Sequence, residues 1–475
     1  MQSIPTESLR RNLPSLDLLR RLNRFAYESE LQLYLVGGSV RDLLLNRPIT
    51  DLDFTVASNP IMFAQMVADR MDGAFIRLEE HPPTARVVVR DTGLTLDFAQ
   101  FRAETLEAEL CQRDLTINAI AVALSALLSD PSIQPIDPCN GLEDLASRLL
   151  RFPSEGVIPD DPLRLIRIYR FAAQLEFDIP DSEIDLIKRY VTLLPQVAAE
   201  RIRDELLKIF DVEHAVRYVR EMDKVRLLSQ IVPEIEEMRR GAADGWEQSL
   251  LALETFEAEL MPDTLQPYKQ ETAEYLNAEL VQAQQRRPII KLALLLHRVA
   301  KPVPETSDVN GVGEQGEVEL AVAIVKRLRL GRKAMWLMDC LVRNQLLNAE
   351  GWTRPGLIRL LKRTREDWLG IALFSYAIVR ASPGKAERVQ EIEALIGQLA
   401  TLYYQGVLPV IRHGRLVTGH EIMQALDLEP CPQIGRILEH IEDLQFEGKI
   451  GTTEEALAAA RAYMEVSEQK TALPH

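Results

Sequence analysis

The fold of this chain is decided by the stretch Tyr34-Leu-Val-Gly-Gly-Ser-Val-Arg-Asp42 and by the segment after it, Asp51-Leu-Asp-Phe-Thr-Val56. In the first, an apolar β run enters a Gly-Gly turn and then a helical pattern, so the backbone can approach a phosphate closely and present free N–H groups to it. In the second, the alternation of side chains along a strand puts Asp51 and Asp53 on one face, where they can hold a hard cation together. The two segments predict a phosphate and metal site.

A third acid, Asp97, lies in the β run Thr95-Leu-Asp-Phe-Ala99 and is expected to face the first two. Three carboxylates near one point repel one another unless a cation such as Mg²⁺ neutralises them. Paired metal ions at such a site would lower the pKa of an attacking hydroxyl and stabilise a leaving phosphate group. A lone Asp-x-Asp pair is more often a solvated surface feature, but the Gly-Gly element upstream favours the metal site.

Length and composition limit the class of protein. A chain of 475 residues is too long for one compact core and predicts several domains. No apolar run is long enough to cross a bilayer, and the N-terminal region does not have the pattern of a targeting signal, so we expect a cytoplasmic protein without a membrane partner. The cysteines lie far apart in the sequence and predict isolated thiols, with no disulfide and no zinc site; they are Cys111, Cys139, Cys340 and Cys431.

The net charge of −16 argues at first against a nucleic-acid partner, but the cations are clustered. Each cluster could be a solvated helix face or a contact for RNA phosphates. The clusters are Arg201 with Arg203, then Lys326, Arg327, Arg329, Arg332 and Lys333, and finally Arg359, Lys362, Arg363 and Arg365.

Along the chain, the residue pattern changes near residue 149. Short β-rich runs occur before it, at Leu33 to Val36, Leu52 to Val56, Ala85 to Arg90 and Thr95 to Phe98, with helical patterns between them. Long amphipathic segments of helical period follow. The pattern predicts an α+β chain in which a mixed sheet with helices precedes an all-helical remainder.

These segments resemble the class II CCA-adding tRNA nucleotidyltransferase and bacterial poly(A) polymerase superfamily, which opens with the same Gly-Gly-x-Val-Arg-Asp and Asp-x-Asp arrangement. The resemblance implies template-independent addition of nucleotides from CTP and ATP to the 3′ end of tRNA, with Mg²⁺ as cofactor. It also implies four parts: a polymerase-β-like head at residues 1–148, a helical neck at 149–215, a degenerate HD-like body at 216–400 and a helical tail at 401–475 that binds the tRNA elbow.

The resemblance also assigns roles to individual residues. It makes Asp51, Asp53 and Asp97 catalytic, with Asp51 and Asp53 as the metal ligands. Residues of the second family motif, Arg113-Asp-Leu-Thr-Ile-Asn-Ala119, would bind phosphate and read the ribose hydroxyls, although Asp114 and Asn118 could instead be helix caps. The implied nucleotide-binding residues are Gly37, Gly38, Arg41, Arg113, Asp114, Asn118, Asp161, Arg164, Arg167 and Arg170.

The segment Asp160-Asp-Pro-Leu-Arg-Leu-Ile-Arg-Ile-Tyr-Arg-Phe171 predicts a helix that reads the base. Asp161 and Arg164 are three residues apart and are expected on one helical face, where Asp161 accepts from an exocyclic amine and Arg164 donates to the adjacent ring nitrogen. Cytosine and adenine present that pair of groups, whereas uracil and guanine present the opposite pair. The resemblance assigns the same role to both residues and makes Arg167 and Arg170 nucleotide or phosphate contacts.

Between Asp97 and the second motif, residues 101–111 form a short connection. Family members that build the whole CCA end have a longer flexible loop there, so the short connection favours CC addition, which would need a separate A-adding enzyme. Full CCA addition, a poly(A) polymerase and a non-catalytic RNA-binding protein are the alternatives. An HD-type hydrolase is disfavoured, because Arg298 follows His297 where that class has a metal-binding Asp.

Overall fold

The computed structural model describes residues 4–240, 245–281, 284–299, 312–346, 352–382, 384 and 386–471. The chain forms two compact units, Met1–Ile231 and Val232–His475. The first unit contains a mixed β-sheet with helices, and the described part of the second is almost entirely helical. The predicted α+β class is confirmed, while the finer division at residues 148, 215 and 400 stays a prediction.

The strands of the first unit form one six-stranded sheet and one small ribbon. They are β1 (Ile4–Pro5), β2 (Tyr34–Val36), β3 (Asp51–Val56), β4 (Gly73–Glu80), β5 (Pro83–Val89), β6 (Thr95–Gln100), β7 (Ala121–Ala123) and β8 (Ser132–Ile133). The order in the sheet is β4-β5-β6-β3-β2-β7; β3 and β6 are parallel, and the other neighbours are antiparallel. The four predicted strands are present. Strand β4 was not predicted, because its outer half is charged and exposed and lacks apolar alternation.

The first unit also contains thirteen described α-helices and two 3₁₀ segments. The helices are α1 (Thr6–Arg10), α2 (Leu16–Glu28), α3 (Gly38–Leu44), α4 (Pro60–Met71), α5 (Leu106–Cys111), α6 (Leu124–Ser129), α7 (Gly141–Ser147), α8 (Val157–Asp160), α9 (Arg164–Leu175), α10 (Asp181–Tyr190), α11 (Ala199–Phe210), α12 (Ala215–Lys224) and α13 (Leu227–Ile231). The 3₁₀ segments are Thr116–Asn118 and Val191–Gln196.

Aromatic packing fixes the central strands against helix α4. Phe54 of β3 and Phe98 of β6 stack with ring centroids 5.4 Å apart, and Phe63 of α4 meets Phe98 edge-on at 5.3 Å. All three are buried, and each buried phenyl ring stabilises the fold by about 2 kcal/mol. The phenylalanines pack on one face of β3 and β6, and the acids lie on the other face. The core therefore holds in place the two strands that carry the acids.

The second unit is a helical assembly with one short ribbon, β9 (Glu279–Val281) with β10 (Gln284–Gln285). Its helices are α14 (Ile235–Arg240), α15 (Gly245–Ala258), α16 (Lys269–Asn277), α17 (Arg286–Leu296), α18 (Val312–Arg327), α19 (Arg332–Arg343), α20 (Arg354–Thr364), α21 (Trp368–Ala381), α22 (Ala386–Leu402), α23 (Leu408–His413), α24 (Gly419–Leu426), α25 (Pro432–Phe446) and α26 (Thr453–Thr471). The 3₁₀ segments are Asp263–Tyr268 and Arg365–Asp367, and Tyr403–Val407 is a π-helical turn.

Helix α17 leads to His297 and Arg298. Its Lys291 is buried and paired with Glu257 at 2.7 Å. His297, just after the helix, is also buried, and its Nδ1 lies 2.7 Å from the Leu294 carbonyl oxygen. These contacts make His297 a structural histidine, as the sequence predicts.

One continuous helical stretch, Ala386–Arg412, is long and apolar enough to cross a membrane by length and composition alone. Its apolar side chains include Ile396 and Leu399, which are fully buried inside the second unit. The core helix of a globular protein passes the same test, so the stretch is weak evidence for a membrane span.

Candidate functional site

The predicted acids lie on two neighbouring parallel strands. Asp53 of β3 is in register with Asp97 of β6, and Asp51 lies two residues before Asp53 on the same face. Burial raises the pKa of Asp53 above its usual value, and the nearby charges of Asp97 and Asp51 raise it further. The structure therefore concentrates negative charge at one end of β3, as predicted.

The Gly-Gly turn is attached directly to this acidic strand. Gly37 has a φ of +66°, and a Cβ atom there would lie 3.0 Å from a guanidinium nitrogen of Arg113 and 3.8 Å from the Asp53 carboxylate. The Ser39 hydroxyl accepts from the backbone N–H of Asp53 at 2.8 Å and donates to the carbonyl oxygen of Asp51 at 3.1 Å. Only glycine adopts the backbone conformation of Gly37 without strain. The glycine turn can therefore lie against the Asp53 carboxylate.

The third carboxylate, that of Asp97, is already paired with an arginine side chain. Arg86 of β5 donates from Nε and Nη2 to the two carboxylate oxygens of Asp97, both at 2.8 Å. Within the described ranges, no three His, Cys, Asp or Glu side chains are grouped so that they could hold a metal ion. The structure brings Asp97 beside Asp53 but does not make it a free ligand.

A divalent cation nevertheless fits the remaining pair. Asp51 is exposed and Asp53 is half-buried, and the pKa of Asp53 is raised first by burial and then by the charges of Asp97 and Asp51. Mg²⁺ is commonly bound by one or two carboxylates, with substrate phosphates and water completing its six ligands. Two acids on one strand face are therefore a sufficient donor set for a metal that arrives with a triphosphate.

The residues of the second motif form a chain of hydrogen bonds. Arg41 donates to the Asn118 side-chain oxygen at 2.9 Å, and the Asn118 amide donates to Asp114 Oδ1 at 2.9 Å. Arg167 of α9 donates from Nε to Asp114 Oδ2 at 2.9 Å. Although burial alone would raise it, the pKa of Asp114 falls to about 2 because Arg167 and Asn118 stabilise its charged form. Asp114 is therefore a fixed anion that links the second motif to α9.

Arg113 lies between the acids and helix α5. Burial lowers its pKa, while the charges of Glu109 and Asp53 act in the opposite direction. The nearest Glu109 oxygen is 3.5 Å from Nη2, and the buried Nε has no hydrogen-bond partner among the described residues. A buried guanidinium with unused donors beside the glycine turn is suited to an anionic ligand.

The arginines of α9 are held by one aromatic ring and one acid. The guanidinium of Arg170 lies 3.8 Å from the ring centroid of Phe171, and those of Arg41 and Arg167 lie 5.1 and 5.6 Å from it. Glu205 of α11 is buried and pairs with Arg170 at 2.6 Å and with Arg167 at 3.4 Å. Arg41, Arg167 and Arg170 are thus brought together as the sequence predicts.

Asp161 and Arg164 do not share a helical face, and this expectation is wrong. Helix α9 begins at Arg164, and Asp161 precedes it with an extended backbone (φ −148°, ψ 91°), because the residue before a proline avoids the helical region. Arg164 is buried and donates to the carbonyl oxygens of Val157 and Gln112 at 2.9 and 2.7 Å. Both Asp161 oxygens accept from Arg201, at 3.1 and 2.8 Å.

The short connection between Asp97 and the second motif is largely helical. After five irregular residues, 101–105, helix α5 begins, and Thr105 caps it by accepting from the Ala108 N–H at 3.2 Å. Leu106 and Leu110 of α5 pack in a core cluster with Val36 of β2. The connection therefore has little length left for a long flexible loop.

Three contributors to the site were missed from the sequence: Arg86, Phe171 and Glu205. Arg86 could have been found from the β5–β6 hairpin, because a turn at residues 90–94 sets residues 86 and 97 opposite each other. Phe171 and Glu205 act through tertiary packing of α9 on α11, for which the sequence carries no local signal.

The charge of Asp114 predicts a pH-dependent stability. A pKa lowered from 3.8 to about 2 stabilises the fold by about 2 kcal/mol above pH 5, and this contribution is lost as the pH falls from about 4 to about 2. In urea unfolding followed by circular dichroism, Asp114→Asn should lower the free energy of unfolding by about this amount at pH 7 and pH 5, and by clearly less at pH 3.

Asp91→Asn, at an exposed turn position, is the matched control and should change little at any of these pH values. All four tryptophans lie in the second unit, so tryptophan fluorescence monitors that unit separately. A deficit for Asp114→Asn that is the same at pH 7 and pH 3 would contradict the assignment.

Two family models match this chain. The Poly A polymerase head domain matches residues 33–151, and the Probable RNA and SrmB- binding site of polymerase A matches residues 176–239. Among solved structures, the Thermotoga maritima CCA-adding enzyme complexed with tRNA is 22% identical, with a TM-score of 0.61 over 98% of this chain and all of that one. A CCA-adding enzyme complexed with CTP is also 22% identical, with a TM-score of 0.63. These likenesses show a shared fold.

Several relatives match this chain over most of their own length. The CC-adding tRNA nucleotidyltransferase of Geobacter sulfurreducens is 33% identical over 89% of this chain and 90% of that protein. The CC-adding enzyme of Thermus thermophilus is 28% identical over 91% and 94%, and the A-adding enzyme of Deinococcus radiodurans is 28% identical over 91% and 95%. The poly(A) polymerase head model matches the first unit, and the 33% identity extends over nearly the whole Geobacter protein. This chain therefore belongs to the tRNA nucleotidyltransferase family.

Proposed function

We propose that this enzyme is CC-adding: it transfers two CMP groups in turn from CTP to the 3′ end of tRNA and releases pyrophosphate each time. The single observation that carries nucleotidyl transfer is the Asp51 and Asp53 pair on β3, with the glycine turn lying against the Asp53 carboxylate. A second enzyme would add the terminal A. We further propose that the protein acts in the cytoplasm, in keeping with its four free cysteines.

We assign the metal to Asp51 and Asp53 and propose Mg²⁺. The ion would lower the pKa of the tRNA 3′-hydroxyl and stabilise the charge that develops on the leaving pyrophosphate. Asp53 would supply the buried ligand and Asp51 the exposed one, while Ser39 keeps the strand backbone in place. Asp97 would act as the third catalytic acid through its register with Asp53, once the incoming charges compete with Arg86 for it.

The triphosphate and ribose would occupy the space between the turn and the second motif. Gly37 and Gly38 would allow the backbone to approach the phosphates, and Arg113 would donate to them. Asp114 and Asn118, already held rigidly, would accept from and donate to the ribose hydroxyls. Arg41, Arg167 and Arg170 would supply positive charge around the phosphates; they cluster on Phe171.

For the base, we retain Asp161 and Arg164 as the pair that reads cytosine. The backbone N–H of Arg164 donates to the carbonyl oxygen of Asp161 at 3.1 Å, so the two residues are adjacent. The carboxylate of Asp161 would accept from the exocyclic amine of cytosine, and Arg164 would donate to the ring nitrogen beside it. Uracil presents a carbonyl and an N–H at those positions, which leaves buried groups unpaired and costs several kcal/mol.

Two observations favour CC addition over full CCA addition. The connection at residues 101–111 is short, and six of its residues are fixed in α5. The Geobacter and Thermus relatives, which this chain matches over most of their length, are CC-adding enzymes. An A-adding enzyme is the second candidate, because the Deinococcus relative of that activity is matched over a similar length.

The tRNA would contact the second unit through a cationic surface that we call the α19 surface: Lys326, Arg332, Lys333 and Trp336. All four side chains are exposed, Trp336 by 43%. In the other two predicted basic clusters, Arg201 pairs with Asp161 and Lys362 with Asp443, while Arg359 and Arg365 are exposed and form no ion pair among the described residues. Cations that form no ion pair with any residue the structure describes, beside an exposed indole, suit RNA phosphates and an unstacked base.

The substrate range predicts a defined product. Purified protein incubated with tRNA that lacks its 3′ CCA should add two C residues from labelled CTP, and no A when ATP follows, because the short connection at residues 101–111 has no room for the long flexible loop of the enzymes that build the whole CCA end. Gel analysis at single-nucleotide resolution measures this. Addition of a terminal A would establish full CCA addition instead, and activity only on tRNA that ends in CC would establish an A-adding enzyme.

The metal assignment predicts that Asp53→Asn lowers CMP incorporation by on the order of a thousandfold at saturating Mg²⁺. Its affinity for tRNA, measured by filter binding, should stay unchanged, because the backbone N–H bond to Ser39 remains. Asp91→Asn should retain full activity. Wild-type protein treated with a chelator should lose incorporation and regain it with added Mg²⁺; activity retained in Asp53→Asn would refute the assignment.

The α19 surface predicts a salt-dependent tRNA contact. Combined Arg332→Ala and Lys333→Ala substitutions should weaken tRNA binding about tenfold at 0.1 M salt and reduce the slope of log K against log salt by about 2. The matched control, Lys269→Ala with Arg388→Ala, removes two other exposed cations of the same unit and should leave both quantities unchanged. Equal effects in the two double variants would exclude the surface.

A further inference from the structure

Two thiols that are distant in the sequence meet beside the second motif. Cys111 ends helix α5, and Cys139 lies 28 residues later, yet their Sγ atoms are 2.8 Å apart. The expectation of isolated thiols is therefore wrong for this pair. Both are free cysteines and both are only half-buried, so a small solute can reach them.

Each thiol is attached to backbone that supports the site. After Cys111 comes Gln112, whose carbonyl oxygen accepts from Arg164 at 2.7 Å, and then Arg113 beside the glycine turn. Cys139 lies in the turn before α7, which is held by Asp137 accepting from the Gly141 N–H at 2.7 Å. A bond between the two sulfurs would tie the segment that carries Arg113 to this turn.

We propose that Cys111 and Cys139 are an oxidation site: a hydroperoxide converts them to a disulfide that fixes the Arg113 segment and slows nucleotide addition. A disulfide bond is about 2.05 Å long, so the sulfurs must approach by only about 0.8 Å. The part of this inference that concerns rate rests on the proposed function; the part that concerns the bond does not.

The chemistry balances in two steps. Cys111 sulfur attacks one peroxide oxygen; the S–O bond forms, the O–O bond breaks, and the Cys111 thiol proton goes to the leaving oxygen, which departs as an alcohol or water, so sulfur loses two electrons to the peroxide. Cys139 sulfur then attacks Cys111, the S–S bond forms, and the hydroxide leaves as water with the thiol proton. Thiols of a reductant reverse the change by exchange.

The order of the two steps follows from the environment. Burial and the neighbouring Cys111 raise the pKa of Cys139 to about 12, so Cys139 keeps its proton while both are reduced. Once Cys111 becomes an uncharged sulfenic acid, one cause of that elevation disappears and Cys139 can react.

The test uses the full-length chain with Cys431→Ser, which removes the exposed cysteine that could join two molecules. After treatment with stoichiometric hydrogen peroxide and alkylation of free thiols, peptide mass spectrometry should find Cys111 linked to Cys139. The same protein with Cys139→Ser should yield no such linked peptide. The midpoint temperature of thermal unfolding should rise by roughly 5 °C in the oxidised protein and return to its original value after dithiothreitol.

CMP incorporation is then compared for each protein before and after oxidation. Oxidised Cys431→Ser protein should be about tenfold slower and recover with dithiothreitol, whereas the Cys139→Ser protein should lose no rate that dithiothreitol restores. Absence of the linked peptide overturns the oxidation site, and a linked peptide with an unchanged rate overturns the control of addition. If reduced protein adds no CMP at all, the proposed function fails while the linked peptide still decides the thiol chemistry.

Discussion

The site depends on three carboxylates held close together, with Arg86 bound to Asp97 and the charge of Arg113 opposing the raised pKa of Asp53. Parallel pairing of β3 with β6 sets Asp53 beside Asp97, and strand alternation adds Asp51, so burial and like charge raise the pKa of Asp53. Phenylalanine packing on the opposite faces, together with the Ser39 bonds to β3, keeps the carboxylates from moving apart. The Mg²⁺ proposed for Asp51 and Asp53 would reduce the remaining repulsion between the acids, whose strand the Ser39 bonds hold in place.

On the cationic side of the site, fixed anions of the chain offset the repulsion between like charges. Arg41, Arg167 and Arg170 lie around Phe171, where their mutual repulsion is offset by the fixed anions Asp114 and Glu205. Burial lowers the pKa of Arg170 to about 10, which still leaves it charged at neutral pH. An anionic ligand therefore meets guanidinium groups that are already oriented and largely desolvated, so binding requires little reorganisation.

The sequence predicted the elements that follow local periodicity and failed where tertiary geometry decides. Strand alternation was sufficient for Asp51, Asp53 and Asp97, and the Gly-Gly turn lies where its sequence indicated. The pairing of Asp97 with Arg86 depends on hairpin register, which the turn at residues 90–94 could have indicated, whereas the meeting of Cys111 with Cys139 depends on packing of α5 and has no local signal. Helical spacing failed at Asp161, because Pro162 forces the residue before it out of the helix.

The contacts of the proposed base-reading pair, Asp161 and Arg164, bear on selectivity. Without a nucleotide, the half-buried Asp161 pairs with Arg201, and the buried Arg164 donates to two backbone carbonyl oxygens. An entering base must replace such bonds rather than add new ones, so a matching base gains little net free energy from each. A mismatched base loses the existing bonds and supplies none, which leaves a buried charge unpaired. Asp161 and Arg164 already have hydrogen-bond partners before a nucleotide binds. Discrimination between bases therefore depends more on the free-energy penalty for the wrong base than on attraction to the right one.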